Sequence, residues 1–156
     1  MTAAVQAKGM DRRIQRWFEQ GLRAHRDGRH EDAGRLYRQV LALRPAHVDA
    51  LHYLGVLAHT QGRSDEAVAM IGRALAADPA YVDAHNNLGN VHKESGRPAD
   101  AEACYRRALA LRPQHHDAIG LAEIVGTHHE CAVAVALPRS QDAPAPSGPT
   151  ASSSAP

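Results

Sequence analysis

Asn86, Asn87 and Asn90 stand close together in the stretch NNLGNVHKESGR. Asparagine carries both a donor and an acceptor, and residues three apart share one helix face. Such a pair can hold the backbone of an extended peptide whatever its side chains; the same residues also serve as an ordinary solvated helix face. Asp49, Asp83 and Asp117 recur every 34 residues. They read either as an acidic stripe suited to basic peptides or as carboxylates set against helix dipoles in each first turn, and the two uses are compatible. Histidine is abundant. His85 and His92 lie seven apart, and THHEC brings His128, His129 and Cys131 together in sequence. A metal site needs three or four converging ligands, and neither group has a spacing such as CxxC or HExxH. No metal ligands are assigned and no cofactor is expected. His92 is instead expected as a partly buried imidazole that makes its surroundings sensitive to pH.

Nucleophilic chemistry has no better footing. Ser64 precedes Asp65 and Glu66 and reads as a helix N-cap, while Cys104 falls on a packing helix. The chain shows no glycine-rich phosphate loop, no GxSxG and no acid pair, so a non-catalytic role is expected. The 18 basic and 17 acidic side chains nearly cancel, leaving a formal charge of +1. That balance disfavours a nucleic-acid or membrane-surface binder, and the short basic cluster DRRIQRW reads as a solvated helical turn. Cys104 and Cys131 form no CxxC and read as reduced thiols of a cytoplasmic protein. The N-terminus lacks the apolar core of a signal peptide, and no run approaches the roughly 18 apolar residues of a membrane span.

The elements that must position these residues are written on a period. Gly21, Gly55 and Gly89 are 34 apart, as are Gly28, Gly62 and Gly96, Ala33, Ala67 and Ala101, and Pro45, Pro79 and Pro113. Residues 48–81 and 82–115 share fourteen of 34 positions. Within a unit, Leu51, Leu54, Leu57 and Ala58 recur at helical spacing, and Gly62 ends that helix in the left-handed conformation. A second helix opens near Ser64, or at Pro98 one unit later, where a missing N–H costs nothing, and stops before proline. Each unit is thus a pair of antiparallel helices. Small residues (Gly55, Ala67 and Ala74; Gly89, Ala101 and Ala108) allow close approach, and Tyr37, Ile71 and Tyr105 are expected to fill the space between units. One hairpin cannot bury its own apolar face, so neighbours must stack.

On these residues the chain resembles the tetratricopeptide repeat family. The match runs through Trp17, Gly21, Ala24, Ala33, Tyr37 and Pro45, then Leu51, Leu54, Gly55, Ala58, Ala67, Ala74 and Pro79, then Leu88, Gly89, Ala101, Tyr105, Ala108 and Pro113. The third unit is similar to repeats that precede O-linked N-acetylglucosamine transferase domains. Gln20, His85 and His92 depart from the pattern. The resemblance implies an all-α solenoid whose first helices line a concave face that holds a protein or peptide partner. Carried over position by position, that face comprises Gln15, Phe18, Glu19, Leu22 and His25, then Asp49, His52, Tyr53, Val56 and His59, then Asp83, Asn86, Asn87, Asn90 and Lys93. The candidate binding residues are His52, Tyr53, Val56, His59, Asp83, Asn86, Asn87, Asn90 and Lys93. At the positions where some relatives clamp a C-terminal carboxylate, this chain has Phe18, Leu22, Tyr53, Asp83 and Asn87, and Asp83 would repel such a ligand.

The expected organisation is a flexible N-terminus over 1–10 and a helical domain over 11–137. The domain comprises units at about 14–47, 48–81 and 82–115 and a cap over 116–137. A disordered tail rich in Pro, Ala and Ser follows over 138–156. The expected role is that of a scaffold without nucleic-acid or membrane partners, with no feature that indicates homo-oligomerisation. Two rivals stand beside it: the repeat region of a larger enzyme such as a glycosyltransferase, and copies stacked end to end.

Overall fold

The computed structural model describes residues 2–113. Over this range the chain forms α1 (Ala3–Arg26), α2 (His30–Leu43), α3 (Val48–Thr60), α4 (Ser64–Ala77), α5 (Val82–Glu94) and α6 (Pro98–Leu111), with no strand among the described residues. Consecutive helices pair as hairpins α1–α2, α3–α4 and α5–α6, and α2 on α3 and α4 on α5 join one hairpin to the next. The expected all-α solenoid is therefore present. The expected cap, the tail, Asp117, His128, His129 and Cys131 lie outside the described residues.

The turn within each hairpin follows one rule. Gly28, Gly62 and Gly96 have φ of 73°, 76° and 71°, the left-handed region that glycine enters without a Cβ penalty. The next residue's N–H then reaches back five positions: Arg29 N to Ala24 O at 2.8 Å, Arg63 N to Ala58 O at 2.9 Å and Arg97 N to His92 O at 2.8 Å. These bonds satisfy carbonyls that a helix end would otherwise leave open.

Hairpin closure follows a second rule. A Cβ added at Gly21 would lie 2.7 Å from Tyr37 Cε1, at Gly55 2.6 Å from Ile71 Cγ1, and at Gly89 2.5 Å from Tyr105 Cε1. The large residue of each second helix thus sits on the glycine of its own first helix. Expected between units, these residues first close their own hairpin; Tyr37 does both, stacking on Tyr53 of the next hairpin with centroids 5.9 Å apart. Tyr37, Ile71 and Tyr105 are all fully buried.

Two sequence expectations need correction. Helix α4 includes Ser64 as its first residue; the N-cap is Arg63, and no side chain caps the end. Gly62 fixes the turn one residue too early for Ser64 to flank the helix, and Arg63 pairs with Glu66 in its place. Residues 3–10, expected ahead of the helical domain, are already part of α1. Ala3, Ala4 and Ala7 with Gln6 and Lys8 favour helix, although all of these side chains are exposed.

Candidate functional site

Side chains of α1, α3 and α5 meet at one depression. On α3, Asp49, His52, Tyr53, Val56 and His59 follow helical spacing. At the junction with α5 they meet a depression of about 250 Å³ lined by His25, His52, Tyr53, Val56, Asp83, Asn86 and Asn87. The site residues read from sequence are therefore brought together there, apart from His59, Asn90 and Lys93.

His52 is the hub. Its ring is 4% exposed, yet both nitrogens have partners. Nδ1 lies 3.1 Å from the Tyr81 hydroxyl and Nε2 2.8 Å from Asn87 Nδ2, while the Tyr81 hydroxyl donates to Asp49 Oδ1 at 3.0 Å. The direction of this chain follows from its end. An ionised carboxylate only accepts, so Tyr81 gives its proton to Asp49 and its oxygen accepts from His52 Nδ1–H. The neutral ring then offers a lone pair at Nε2, and Asn87 must present its NH2 group. Burial pushes the His52 pKa below the ordinary imidazole value, against opposing pulls from Asp83 and Asp49, which agrees with a neutral ring. Burial also raises the Tyr81 hydroxyl, with Asp49 adding to it, so the phenol keeps the proton it donates.

Rings extend the site toward α1. Tyr53 packs 5.1 Å from His52, 6.0 Å from His25 and 6.0 Å from Phe18. His25 is held below the ordinary imidazole value by burial and then by His30.

The remaining site residues lie beside this depression. Asn90 Oδ1 accepts the Tyr105 hydroxyl at 2.6 Å, so half of its carboxamide is turned into the hairpin. His59 Nε2 lies 3.3 Å from Glu94 Oε2, linking α3 to the end of α5, and Lys93 is exposed on α5. The asparagine pair is thus divided: Asn87 orders the junction and Asn90 secures Tyr105.

His85 and His92 do not converge. His85 Nε2 lies 2.9 Å from Pro79 O, as an N–H donor to that carbonyl. His92 is 8% exposed, and among the described residues its Nδ1 has no hydrogen-bond partner. Burial, then Arg97, lowers its pKa against Asp100. Among the described residues no three His, Cys, Asp or Glu side chains are grouped to hold a metal ion. Cys104 is half-buried, and burial raises its thiol pKa, with Asp100 adding to the effect. That is opposite to what an activated thiolate needs. No helix among the described residues is long and apolar enough to cross a membrane.

Sequence reasoning missed Tyr81, which sits in a loop as the N-cap of α5. A signal was there. His47 lies 34 residues earlier and packs 5.1 Å from Phe18, as Tyr81 packs 4.9 Å from His52, and Phe18 lies 34 before His52. The rings two residues after Pro45 and Pro79 each pack on the first helix of the hairpin just completed.

Comparisons with known proteins agree with this architecture. The chain is similar to an O-GlcNAc transferase of Thermobaculum terrenum at 30% identity and TM-score 0.71, covering 80% of this chain and 24% of that one. The chain therefore spans about a quarter of that transferase. It also resembles the first TPR of Spaghetti, solved with an HSP90 peptide, at 18% identity and TM-score 0.71, covering 76% of this chain and 94% of the other. The Sgt2 TPR domain from Aspergillus fumigatus matches at 20% identity and TM-score 0.69, over 75% and 80% of the two chains. No curated protein matches significantly. Family models described as tetratricopeptide repeat match residues 24–79 and 60–116. Together these span 24–116, more than half of the 156 residues, and the chain belongs to the tetratricopeptide repeat family.

Proposed function

We propose that this chain is a non-catalytic interaction module that holds a peptide or extended protein segment along the face of α1, α3 and α5. The observation that carries the reading is the depression at the second junction, where α1 contributes His25, α3 contributes Tyr53 and Val56, and α5 contributes Asp83, Asn86 and Asn87 to one surface. Such a surface offers apolar contact from Tyr53 and Val56 and hydrogen bonds from the carboxamides, the mixture that an extended segment needs. The Spaghetti domain was solved with an HSP90 peptide, which supports the capacity of this fold to hold peptides.

The test uses a blocked face. Val56 and Asn86 are half-buried on it, and no internal hydrogen bond of either side chain enters the architecture described above. A Val56→Arg/Asn86→Arg variant should keep its helical circular dichroism and lose the polypeptide that wild type captures from a lysate of the source cells. Retention of every captured polypeptide by the variant would move recognition elsewhere.

A second reading rests on the 30% identity to a quarter of the Thermobaculum transferase: the array serves as the repeat region of a larger glycosyltransferase. Co-purification with, or fusion to, such a catalytic domain would support it, and an unrelated partner would sink it.

A further inference from the structure

We infer that the outer edge of α1 is a docking surface for double-stranded DNA, held through its phosphates without regard to sequence. The inference does not depend on the peptide face above. Four observations lead there.

The first is where the charge lies. The formal charge of +1 averages two unlike parts. Helix α1 holds six of the 18 Lys and Arg but two of the 17 Asp and Glu, so it carries +4 and the rest of the chain −3. Lys8, Arg12, Arg16, Arg23 and Arg26 follow one another along it in steps of four, four, seven and three. At 3.6 residues per turn they share one edge of the helix, within about 80° of arc and over about 27 Å of its length.

The second is that these cations are uncompensated. All five are exposed, and among the described residues none has an ion pair or a side-chain hydrogen bond. The acids of α1 are engaged by others. Asp11 pairs with Arg44, and Glu19, the one acid on the same edge, accepts from Gln15 Nε2 at 3.0 Å. Arg29 and Arg35, in the turn and in α2, are by contrast paired with Asp27 and Asp32.

The third is shape. Helix α2 ends at Leu43 and Arg44 reaches Asp11, so residues 3–10 of α1 project past the hairpin with every side chain exposed. A free helix about 10–12 Å across fits the major groove of B-form DNA, about 12 Å wide. Lys8 and Arg12 then meet the groove walls, and Arg16, Arg23 and Arg26 the phosphates beyond. The deep, narrow major groove of A-form RNA does not admit a helix in this way.

The fourth is what the edge lacks. Among the described residues Val5 is its one apolar side chain; Met10 lies on the other side of α1, in line with the buried Ile14. A protein interface needs apolar anchors and a bilayer needs apolar insertion. Single strands are held on aromatic rings, and Trp17 is half-buried away from this edge with Arg13 over its ring. A further hairpin, from a second copy, is opposed as well: Gln20 and Arg23 stand where the next unit has Leu54 and Leu57, which are buried in the first junction. Duplex phosphates need charge alone.

The experiment is fluorescence anisotropy of a labelled random-sequence DNA duplex with the full chain, from about 50 to about 200 mM salt. An edge variant, Arg12→Glu/Arg16→Glu/Arg23→Glu, is set against a control, Arg38→Glu/Arg97→Glu/Arg107→Glu, with the same net charge. All six arginines are exposed, so both should keep wild-type circular dichroism; glutamine versions replace any that do not. Wild type should bind the duplex, with log affinity falling against log salt at a slope of roughly −4.5, about 0.9 for each of five phosphates. The edge variant should bind at least about tenfold more weakly than the control, with a slope nearer −2. An RNA duplex, a single strand and phosphatidylserine vesicles should all bind wild type more weakly than the DNA duplex. No binding at the lowest salt, or equal weakening of the edge and control variants, would overturn the docking edge. Equal or tighter binding of RNA, single strand or vesicles would overturn the assignment to DNA.

Discussion

Two glycines of the same chain should respond in opposite ways to one methyl group. At Gly89 an added Cβ would sit 2.5 Å from the fully buried Tyr105 ring, whose hydroxyl is also tied to Asn90. Neither the ring nor the helix has room to yield, so Gly89→Ala should destabilise by about 1–3 kcal/mol, the usual cost of overpacking a core. At Gly72, an exposed position on α4, nothing lies within 4 Å of the added atom. There the methyl only removes backbone freedom from the unfolded chain, and Gly72→Ala should stabilise by about 0.5–1 kcal/mol. Chemical denaturation of the two variants against wild type decides the matter; equal effects would mean that the glycine–tyrosine contact is not tight. The buried histidines should make stability depend on pH. His25, His47, His52 and His92 are all lowered from 6.5, in each case chiefly by burial. The unfolded chain therefore takes up protons first as pH falls. Stability should be complete above 6.5 and decline as pH drops below it toward the folded values. Ala24 and Ala58 occupy the slot of His92 in the other hairpins, so His92→Ala removes one contributor without a new side chain to place. Denaturation midpoints at pH about 7.5 and about 5.5 should differ less in His92→Ala than in wild type, and an unchanged difference would show that His92 is no pH-responsive group.

Helices α3 to α6 were legible because their ends are written in residues that act locally. Gly62 and Gly96 can occupy positive φ, and Pro98 opens α6 where its missing N–H is harmless. The start of α1 was not legible in this way. The repeat pattern begins near Ile14, yet α1 runs from Ala3, because alanine-rich sequence continues a helix that already exists even where it touches nothing. Val5 and Met10 remain 53% and 48% exposed, and residues 2–13 contribute no buried side chain. Removing residues 2–10 should therefore change unfolding free energy by less than about 0.5 kcal/mol, as for surface changes away from any packing feature. A larger loss would mean that this turn of α1 has a contact in solution. The candidate face was legible only in outline. Helical spacing placed Asp49, His52 and Tyr53 together, but the division of labour between Asn87 and Asn90 depends on Tyr105 standing where the previous hairpin has Ile71. Ile71 has no hydroxyl to engage the equivalent Val56, so a pattern defined by size and period cannot foretell that bond.

Across the whole array, each hairpin depends on its neighbours, and the second junction is unlike the first in how it is made. Phe18, Tyr37 and Tyr53 join hairpins one and two through rings, in a buried cluster with Ile14, Val40, Leu54 and Leu57. The second junction has a smaller cluster, Ala58, Ala67, Ile71, Ala84 and Val91, and adds the polar chain from Asp49 to Asn87. Polar links in a buried setting are costly when half broken. Tyr81→Phe keeps the ring on His52 but deletes the oxygen that accepts from Nδ1–H, which leaves a buried donor unsatisfied at about 1–3 kcal/mol. In a stack of repeats, weakening one interface lowers the barrier to opening the units beyond it rather than every unit equally. Hydrogen exchange should then show faster exchange in α5 and α6 of Tyr81→Phe, with α1 and α2 close to wild type. A uniform rise in exchange from α1 to α6 would mean that the described hairpins open as one body, and that the chain through Tyr81 orients Asn87 without governing how the third hairpin is held.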